Sequence, residues 1–547
     1  MTNKELAELI FPNINKTIED YEKMYPSRGN LVVTRFAPSP TGYMHIGNFM
    51  SALIDYIIKV NNNGLFYLRN EDTDKKREIS DAVDKIMHVL NHYDILPDEY
   101  EYQDKVVGNY GPYIQSKRIE IYHTFIKHLI EIGRAYPCFC TSETLEELRT
   151  MQEHKKLRTG YYGKYAKCRF LTNDEMAEKI KNGETYVIRF KSMGNFDEKF
   201  AFDDLVKGKI EFPCNDEDFV IMKSSNFLPT YHFAHLVDDH LMHTTHVVRG
   251  EEWISSVPKH VELFETFGYE VPKYIQYPLI LKKDGDIKRK ISKRKDPEFS
   301  ISYYEENGYP PIALIEAVMT IINSNYEEWR TANPDKPFTE FQFSANKMSA
   351  SGALFDLEKL NNISKDIISK MSAKELCDLS YEWASLYSES LKEMIDRDKE
   401  YYTNILNIER EQEKPRKDIA NYIMIEDLIW YMYDDMFESR EKEYEWKNVT
   451  DSSEIKNILN TYFDKYYDEN DTKEEWFNKV KLLCDELGYA SNIKEYKKEP
   501  DKFKGNVADV STVIRVAVTS KSNTPDLYQI LKLLGKDRIK IRINQIK

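Results

Sequence analysis

The chain has 547 residues, 41% of them hydrophobic and 13% aromatic, and its 92 acidic and 77 basic side chains leave a formal net charge of −15. That much apolar surface excludes a mainly disordered polypeptide, the length exceeds one ordinary domain, and the acidic balance excludes coating nucleic acid by charge alone, so any nucleic-acid surface must be local. No apolar run approaches the roughly 18 residues of a membrane span, the start has no basic-then-apolar leader, and six cysteines are too few for a disulfide scaffold, so a cytoplasmic protein is expected.

Residues 1–30 read as a helical preface that ends in the turn-prone Tyr25-Pro26-Ser27-Arg28-Gly29-Asn30. Leu31 to Phe36 (LVVTRF) is a short β-branched run stopped by Pro38-Ser39-Pro40-Thr41-Gly42, which predicts a buried strand. Ile46, Phe49, Met50, Leu53, Ile54, Ile57 and Ile58 then recur at three-or-four spacing and predict a helix from about His45 to Val60, with a second strand at Leu65 to Glu71. Strand, helix, strand is the opening of a parallel nucleotide-binding sheet.

From 110 to 219 the pattern is mixed, with a helix predicted over Ser116 to Gly133 and a strand over Tyr186 to Lys191, as in an inserted domain. Strand-like runs at Phe219 to Met222, His246 to Arg249 and Leu279 to Leu281 resume the sheet, and beyond Ser300 the pattern is almost wholly helical. The expected layout is an extension (1–30), a first catalytic half (31–109), an insertion (110–219), a second catalytic half (220–300), a helical segment (301–370) and a helical C-terminal region (371–547).

Two constellations carry chemistry. The first is RFAPSPTGYMHIGN, Arg35 to Asn48, across a strand-to-helix turn whose backbone N–H groups and positive helix end suit a phosphate chain. His45 can hydrogen-bond that chain, and Gly47 lets it approach the backbone; taken alone, both could simply start a helix. The second is KISKR, Lys290 to Arg294, within Lys282 to Lys295, where eight basic residues meet two acidic ones on a Gly-bearing loop. Such a concentration can clamp charge developing on a polyphosphate, although a basic run is usually a solvated or RNA-touching face.

In this order, with an insertion between them, the motifs resemble those of the class I aminoacyl-tRNA synthetases, and more narrowly the bacterial glutamate–tRNA ligases. The resemblance extends through LRNEDTD (Leu68 to Asp74), PYIQSKR (Pro112 to Arg118), AYPCFCT (Ala135 to Thr141), the run from Leu228 to His260, and VIRVAVTSKSNTPDLYQILKLLG (Val513 to Gly535). It implies an α/β Rossmann-type catalytic domain, an inserted α+β acceptor-binding domain and an all-α C-terminal anticodon-binding region. The implied activity is ligation of L-glutamate to the 3′ end of tRNA(Glu) through a glutamyl-adenylate, by a monomer.

The implied catalytic residues are His45, Lys290 and Lys293. ATP, with Mg2+ held largely by its phosphates and water, would be bound by Pro38, His45, Gly47, Asn48, Lys290, Ser292, Lys293 and Arg294. Glutamate would be bound by Arg35, Ser39, Glu71, Tyr231, His235 and Arg249, the two arginines as fork donors to its carboxylates. Asn48 and Ile291 depart tolerably from the family motifs, and His235 stands where a side-chain amide is expected. Cys138, Cys140 and Cys168 resemble a structural zinc site of some relatives, one ligand short of a tetrahedral set; Tyr165 or His154 would have to complete it, the alternative being reduced, half-buried thiols. His240 and His243 beside Asp238-Asp239 are read as a packed loop in preference to a metal cluster. A glutamylating tRNA-modification relative, a nucleotidyltransferase acting without tRNA and a catalytically silent RNA binder are the alternatives.

Overall fold

The computed structural model describes every residue except Lys75, Arg77, Glu78, Lys293, Arg294, Ser351 and Lys547. The chain divides into two compact units, residues 1–303 with 315–357, and residues 304–314 with 358–547.

The first unit is built on the parallel pair Val33–Phe36 and Leu65–Leu68, with Arg35 opposite Tyr67. The helix Ile46–Asn61 crosses between them and buries Ile46, Phe49, Met50, Leu53, Ile54 and Ile57, the face its spacing required. A second parallel pair, His246–Gly250 with Lys273–Tyr277, sets Arg249 opposite Gln276. Thr245 joins the two pairs: its N–H donates to the Val33 carbonyl at 3.0 Å, and Val33 N–H donates to its hydroxyl at 2.8 Å. Two strand pairs separated by the insertion are thus joined at Thr245, and Arg35 and Arg249 each stand one residue before the end of their strands.

Ala135–Cys138, Val187–Phe190 and Val220–Met222 form an antiparallel sheet, so the run at Phe219 to Met222, expected to resume the catalytic sheet, instead pairs with the insertion's own strand through Ile188 and Arg189. The hairpin of Lys199–Asp204 and Gly208–Pro213 extends instead the catalytic sheet, since Asp204 pairs in parallel with Tyr274.

Residues 1–30 are tied down. Thr2 with Glu5, and Thr17 with Asp20, form reciprocal caps that start the helices Asn3–Ile10 and Ile18–Met24. These bury Leu6, Ala7, Phe11, Tyr21 and Tyr25 in the same core as Tyr122, Phe125 and Leu129 of the helix Ile119–Glu131. Arg28 then grips Glu99 through two bonds of 3.0 and 2.6 Å.

The basic segment departs from the expected loop. Ile280–Asp284 and Ile287–Lys290 pair antiparallel around Gly285, whose φ of +60° lies in the left-handed region the turn demands. The high lysine content disguised an alternating strand pattern.

In the second unit, helices including Ala373–Tyr387, Lys399–Asn407, Lys473–Leu487, Val507–Thr519 and Leu527–Asn544 enclose one core with Leu376, Leu406, Val480, Ile514 and Leu531 at its centre. Arg542 is buried there, donating to the Tyr431 and Val518 carbonyls and pairing with Asp434 at 2.8 Å. Among the described residues no helix is long and apolar enough to cross a membrane.

Candidate active site

His45 starts the helix Ile46–Asn61 through its side chain. Its Nδ1 accepts from the Gly47 and Asn48 N–H groups at 3.1 and 3.2 Å, and Asn48 Oδ1 accepts from His45 N–H at 3.4 Å. An Nδ1 that accepts leaves the ring proton on Nε2, the nitrogen then able to donate to a phosphate oxygen. Gly47 has a further reason to lack a side chain: a Cβ there would meet His45 Nδ1 and Cε1 at 3.1 Å.

The two motifs meet because the hairpin is pinned at both ends to this turn. Before it, the Tyr277 hydroxyl donates to the Gly47 carbonyl at 3.1 Å; after it, Ile301 N–H donates to the Met44 carbonyl at 3.2 Å and the Phe299 ring lies 4.6 Å from that of His45. Lys290 is exposed at the end of its strand, whereas Ile291 is buried and anchors the segment. Buried Asp296 accepts from Ser292 N–H at 2.8 Å and from both terminal nitrogens of Arg289 at 2.7 Å; Arg289, the largest cause, holds its carboxyl well below the usual range. Lys293 and Arg294, expected at this site, lie outside the described residues.

The expected glutamate residues converge on the carboxyl edge of the sheet. Arg35 Nε is 3.4 Å from Asp239, and its Nη1 donates to the Val248 carbonyl at 3.3 Å. Glu71 is bound to Arg69 at 2.9 Å, and Arg69 reaches Asp239 at 2.6 Å. Asp238 accepts from Arg118, Gln115 and Tyr122 at 2.7, 2.9 and 2.8 Å. Burial opposes the charge on Asp239, yet Arg69 and Arg35 keep its carboxyl well below the usual range; burial raises Glu71 despite Arg69. Tyr231, its hydroxyl pKa raised by burial, lies within the fields of Arg249, Glu71 and Arg35, and its ring is 4.4 Å from that of Trp253. Pro38 ties its turn to Glu71 by a 3.1 Å bond from Glu71 N–H, while Ser39 is exposed beside it.

Arg249 differs from its neighbours. Nη1 is 3.1 Å from His260 Nδ1, and the guanidinium sits 4.4 Å over the Tyr274 ring, but Nε and Nη2 are buried with no partner among the described residues. The Gln276 amide, opposite it in register, is likewise buried and unpartnered. Buried donors without acceptors are costly, and a carboxylate would satisfy those of Arg249. At His235, the Nδ1 atom lies 2.9 Å from Asp239 and the Nε2 atom 2.7 Å from the Tyr274 hydroxyl; burial pushes its pKa to about 4, so it is a neutral part of the wall. His240 and His243 are packing residues as read: His240 stacks on Tyr269 and reaches Glu22, and His243 meets the Tyr25 carbonyl.

Motif reading missed Arg69, Asp239, Gln276 and His260. Charge on the inward side of a periodic helix, as in HLVDDH, was the available signal for Asp239; Gln276 and His260 had none beyond polarity in apolar runs.

The three cysteine sulfurs lie within 4.8 Å of one another. The group at their open corner is neither Tyr165 nor His154 but Tyr161, whose hydroxyl is 3.5 and 3.3 Å from Cys138 and Cys140 Sγ and accepts from Cys168 N–H at 3.0 Å. His154 is exposed and Tyr165 half-buried, whereas Tyr161 is buried against the sulfurs. Hydrogen bonding by the Cys140 thiol holds Cys138 well below the usual thiol range. Three soft donors and a phenol fit a tetrahedral zinc.

A helix-opening histidine turn, a basic hairpin pinned to it and the unpartnered donors of Arg249 lie in one α/β unit, and comparison with known proteins gives that unit its class. The catalytic-domain family of class I tRNA synthetases (E and Q) matches residues 31–362, and an anticodon-binding domain family matches residues 386–547. The chain is 46% identical over 550 residues to the glutamate–tRNA ligase of Acetivibrio thermocellus, covering 100% of both chains, and 45% identical to that of Clostridium perfringens strain 13, covering 99% of this chain and 100% of the relative. A crystal structure of a glutamate tRNA ligase from Elizabethkingia meningosepticum in complex with its amino acid superposes with a TM-score of 0.74 at 25% identity, over 94% of this chain and 100% of the other. The chain belongs to the glutamate–tRNA ligase family of class I aminoacyl-tRNA synthetases.

Proposed function

We propose that the carboxyl edge of the sheet seats glutamate with Arg249 as the receptor for one carboxylate, Arg35 and Tyr231 lining the same pocket, and Glu71 and Ser39 toward the α-ammonium group. The chain catalyses ATP-dependent ligation of L-glutamate to the 3′ end of tRNA(Glu), through glutamyl-adenylate, with release of AMP and diphosphate. The observation that carries the site assignment is the pair of buried, unpartnered donors on Arg249. A neutral amide in place of the substrate carboxylate would leave that guanidinium uncompensated.

The chemistry follows from position. The α-carboxylate attacks the α-phosphorus of ATP while His45 Nε2–H and the KISKR lysines, Lys290 and Lys293, stabilise charge on the nonbridging oxygens and the departing diphosphate. Pro38, Gly47, Asn48, Ser292 and Arg294 complete the ATP-binding set. Class I synthetases use ATP with Mg2+, which neutralises phosphate charge. The insertion, 110–219, holds the acceptor end, and the helical region reads the anticodon. Cys138, Cys140, Cys168 and Tyr161 would hold a structural zinc in the insertion, with metal content of the purified protein as the check. The protein acts as a cytoplasmic monomer.

The test is exchange of labelled diphosphate into ATP. Exchange requiring both glutamate and tRNA is expected. Exchange without tRNA would favour a nucleotidyltransferase, and none under either condition would leave only RNA binding.

A further inference from the structure

Arginine carries five N–H donors and no acceptor. His260 Nδ1, 3.1 Å from Arg249 Nη1, must therefore accept, which puts the ring proton of His260 on Nε2. That nitrogen is 3.0 Å from His232 Nδ1, so the second ring accepts in turn and keeps its own proton on Nε2. Donation runs in one direction only, from Arg249 to His260 to His232, provided both rings are neutral.

Their surroundings keep them so. His260 is 1% exposed, and its ring lies 4.4 Å from that of His235, 5.8 Å from that of Tyr231 and 5.2 Å from that of His232. Burial pushes His260 well below the ordinary histidine range and His232 to about 3. Tyr274 supports the face of the guanidinium at 4.4 Å, and its two remaining nitrogens, Nε and Nη2, have no partner among the described residues. Those two nitrogens form the side-on fork of an arginine, the edge that takes a carboxylate through two parallel bonds.

We propose that His260 is a positioning residue for amino-acid recognition: by accepting from Nη1, with His232 orienting it from behind, it fixes the rotation of the Arg249 guanidinium so that the Nε and Nη2 edge meets the substrate carboxylate. The proposal rests on the reading of Arg249 as the carboxylate receptor. No part of His260 touches the substrate; it acts by sparing Arg249 the reorientation that binding would otherwise require.

The experiment measures glutamate KM, ATP KM and kcat in tRNA-supported diphosphate exchange. His260→Phe keeps a ring but removes the acceptor, and should raise glutamate KM about tenfold or more while ATP KM and kcat stay within about threefold. His260→Asn, whose amide oxygen takes the place of Nδ1, should return glutamate KM to within about threefold of wild type. If His260→Phe does not fold, His260→Leu, which also lacks an acceptor, replaces it in the comparison. A glutamate KM unchanged in the acceptor-less variant, or raised equally in His260→Asn, overturns the proposal. Arg249→Lys separates the two layers: a raised glutamate KM there with normal His260 variants removes only the positioning role, whereas an unaltered KM in Arg249→Lys removes the receptor reading and the proposal with it.

Discussion

The proposed amino-acid pocket and the basic hairpin would both handle anions, but on opposite terms. In the pocket Arg35, Arg69, Glu71, Asp239 and Arg249 are all buried; the first four are ion-paired among themselves, while Arg249 keeps Nε and Nη2 without a partner among the described residues. In the hairpin Lys283, Lys288 and Lys290 are exposed, while Arg289 and Lys282 are leashed to Asp296 and Glu298. A buried, interlocked charge array cannot reorganise, so it suits discrimination between a carboxylate and its neutral analogue. Exposed ammonium groups on a short antiparallel pair keep their hydration until a polyphosphate arrives, which suits charge that develops only as diphosphate leaves.

Substitutions on the two sides should separate accordingly. Arg249→Ala strikes the array at its one open position, and kcat/KM for glutamate should fall on the order of a hundredfold to a thousandfold with ATP KM nearly unchanged, which steady-state exchange would read. Lys293→Ala, in the KISKR motif, should slow adenylate formation about a hundredfold with tRNA affinity intact; single-turnover kinetics and a filter-binding titration check the two halves of that statement. Asp296→Asn keeps the shape of the leash but drops its charge, and should cost about tenfold in adenylate formation without moving glutamate KM. A rise in glutamate KM from either of the last two changes would break the division of labour.

The smallest effect is on pH dependence. Burial holds His235 at about 4 and His232 at about 3 in the folded chain, against 6.5 for an ordinary histidine. Below 6.5 the unfolded chain takes up protons that the folded one refuses, so this contribution is fully present above that value and is lost progressively as pH falls toward 4. Melting temperature should drop over that window, and His235→Asn should flatten the slope. An unflattened slope would place the acid sensitivity elsewhere.

What was legible in the sequence is what is local. The strand at Val33–Phe36, the helix opened by His45 and the strand His246–Gly250 each announce themselves within a dozen residues by period and breakers. The pocket wall is not local: Arg69 meets Asp239 across 170 positions and Arg118 meets Asp238 across 120. Charged residues in a helix read as a solvated face until their partners are known, so Asp238 and Asp239 concealed the buried array. The hairpin was hidden by composition, since lysines mask alternation that only Ile287, Ile291 and the turn at Gly285 reveal. Tyr161 was hidden because a tyrosine seven residues before Cys168 carries no ligand-spacing signal, and only the fold brings its hydroxyl to the sulfurs.

The most direct test of the account is competitive charging of tRNA(Glu) by the wild-type enzyme with glutamate and glutamine side by side at saturating ATP. Two desolvated N–H donors awaiting a carboxylate should make glutamate the better substrate by about a thousandfold or more. Comparable charging with glutamine would contradict it, because the Arg249 edge would then be reading something other than a negative charge.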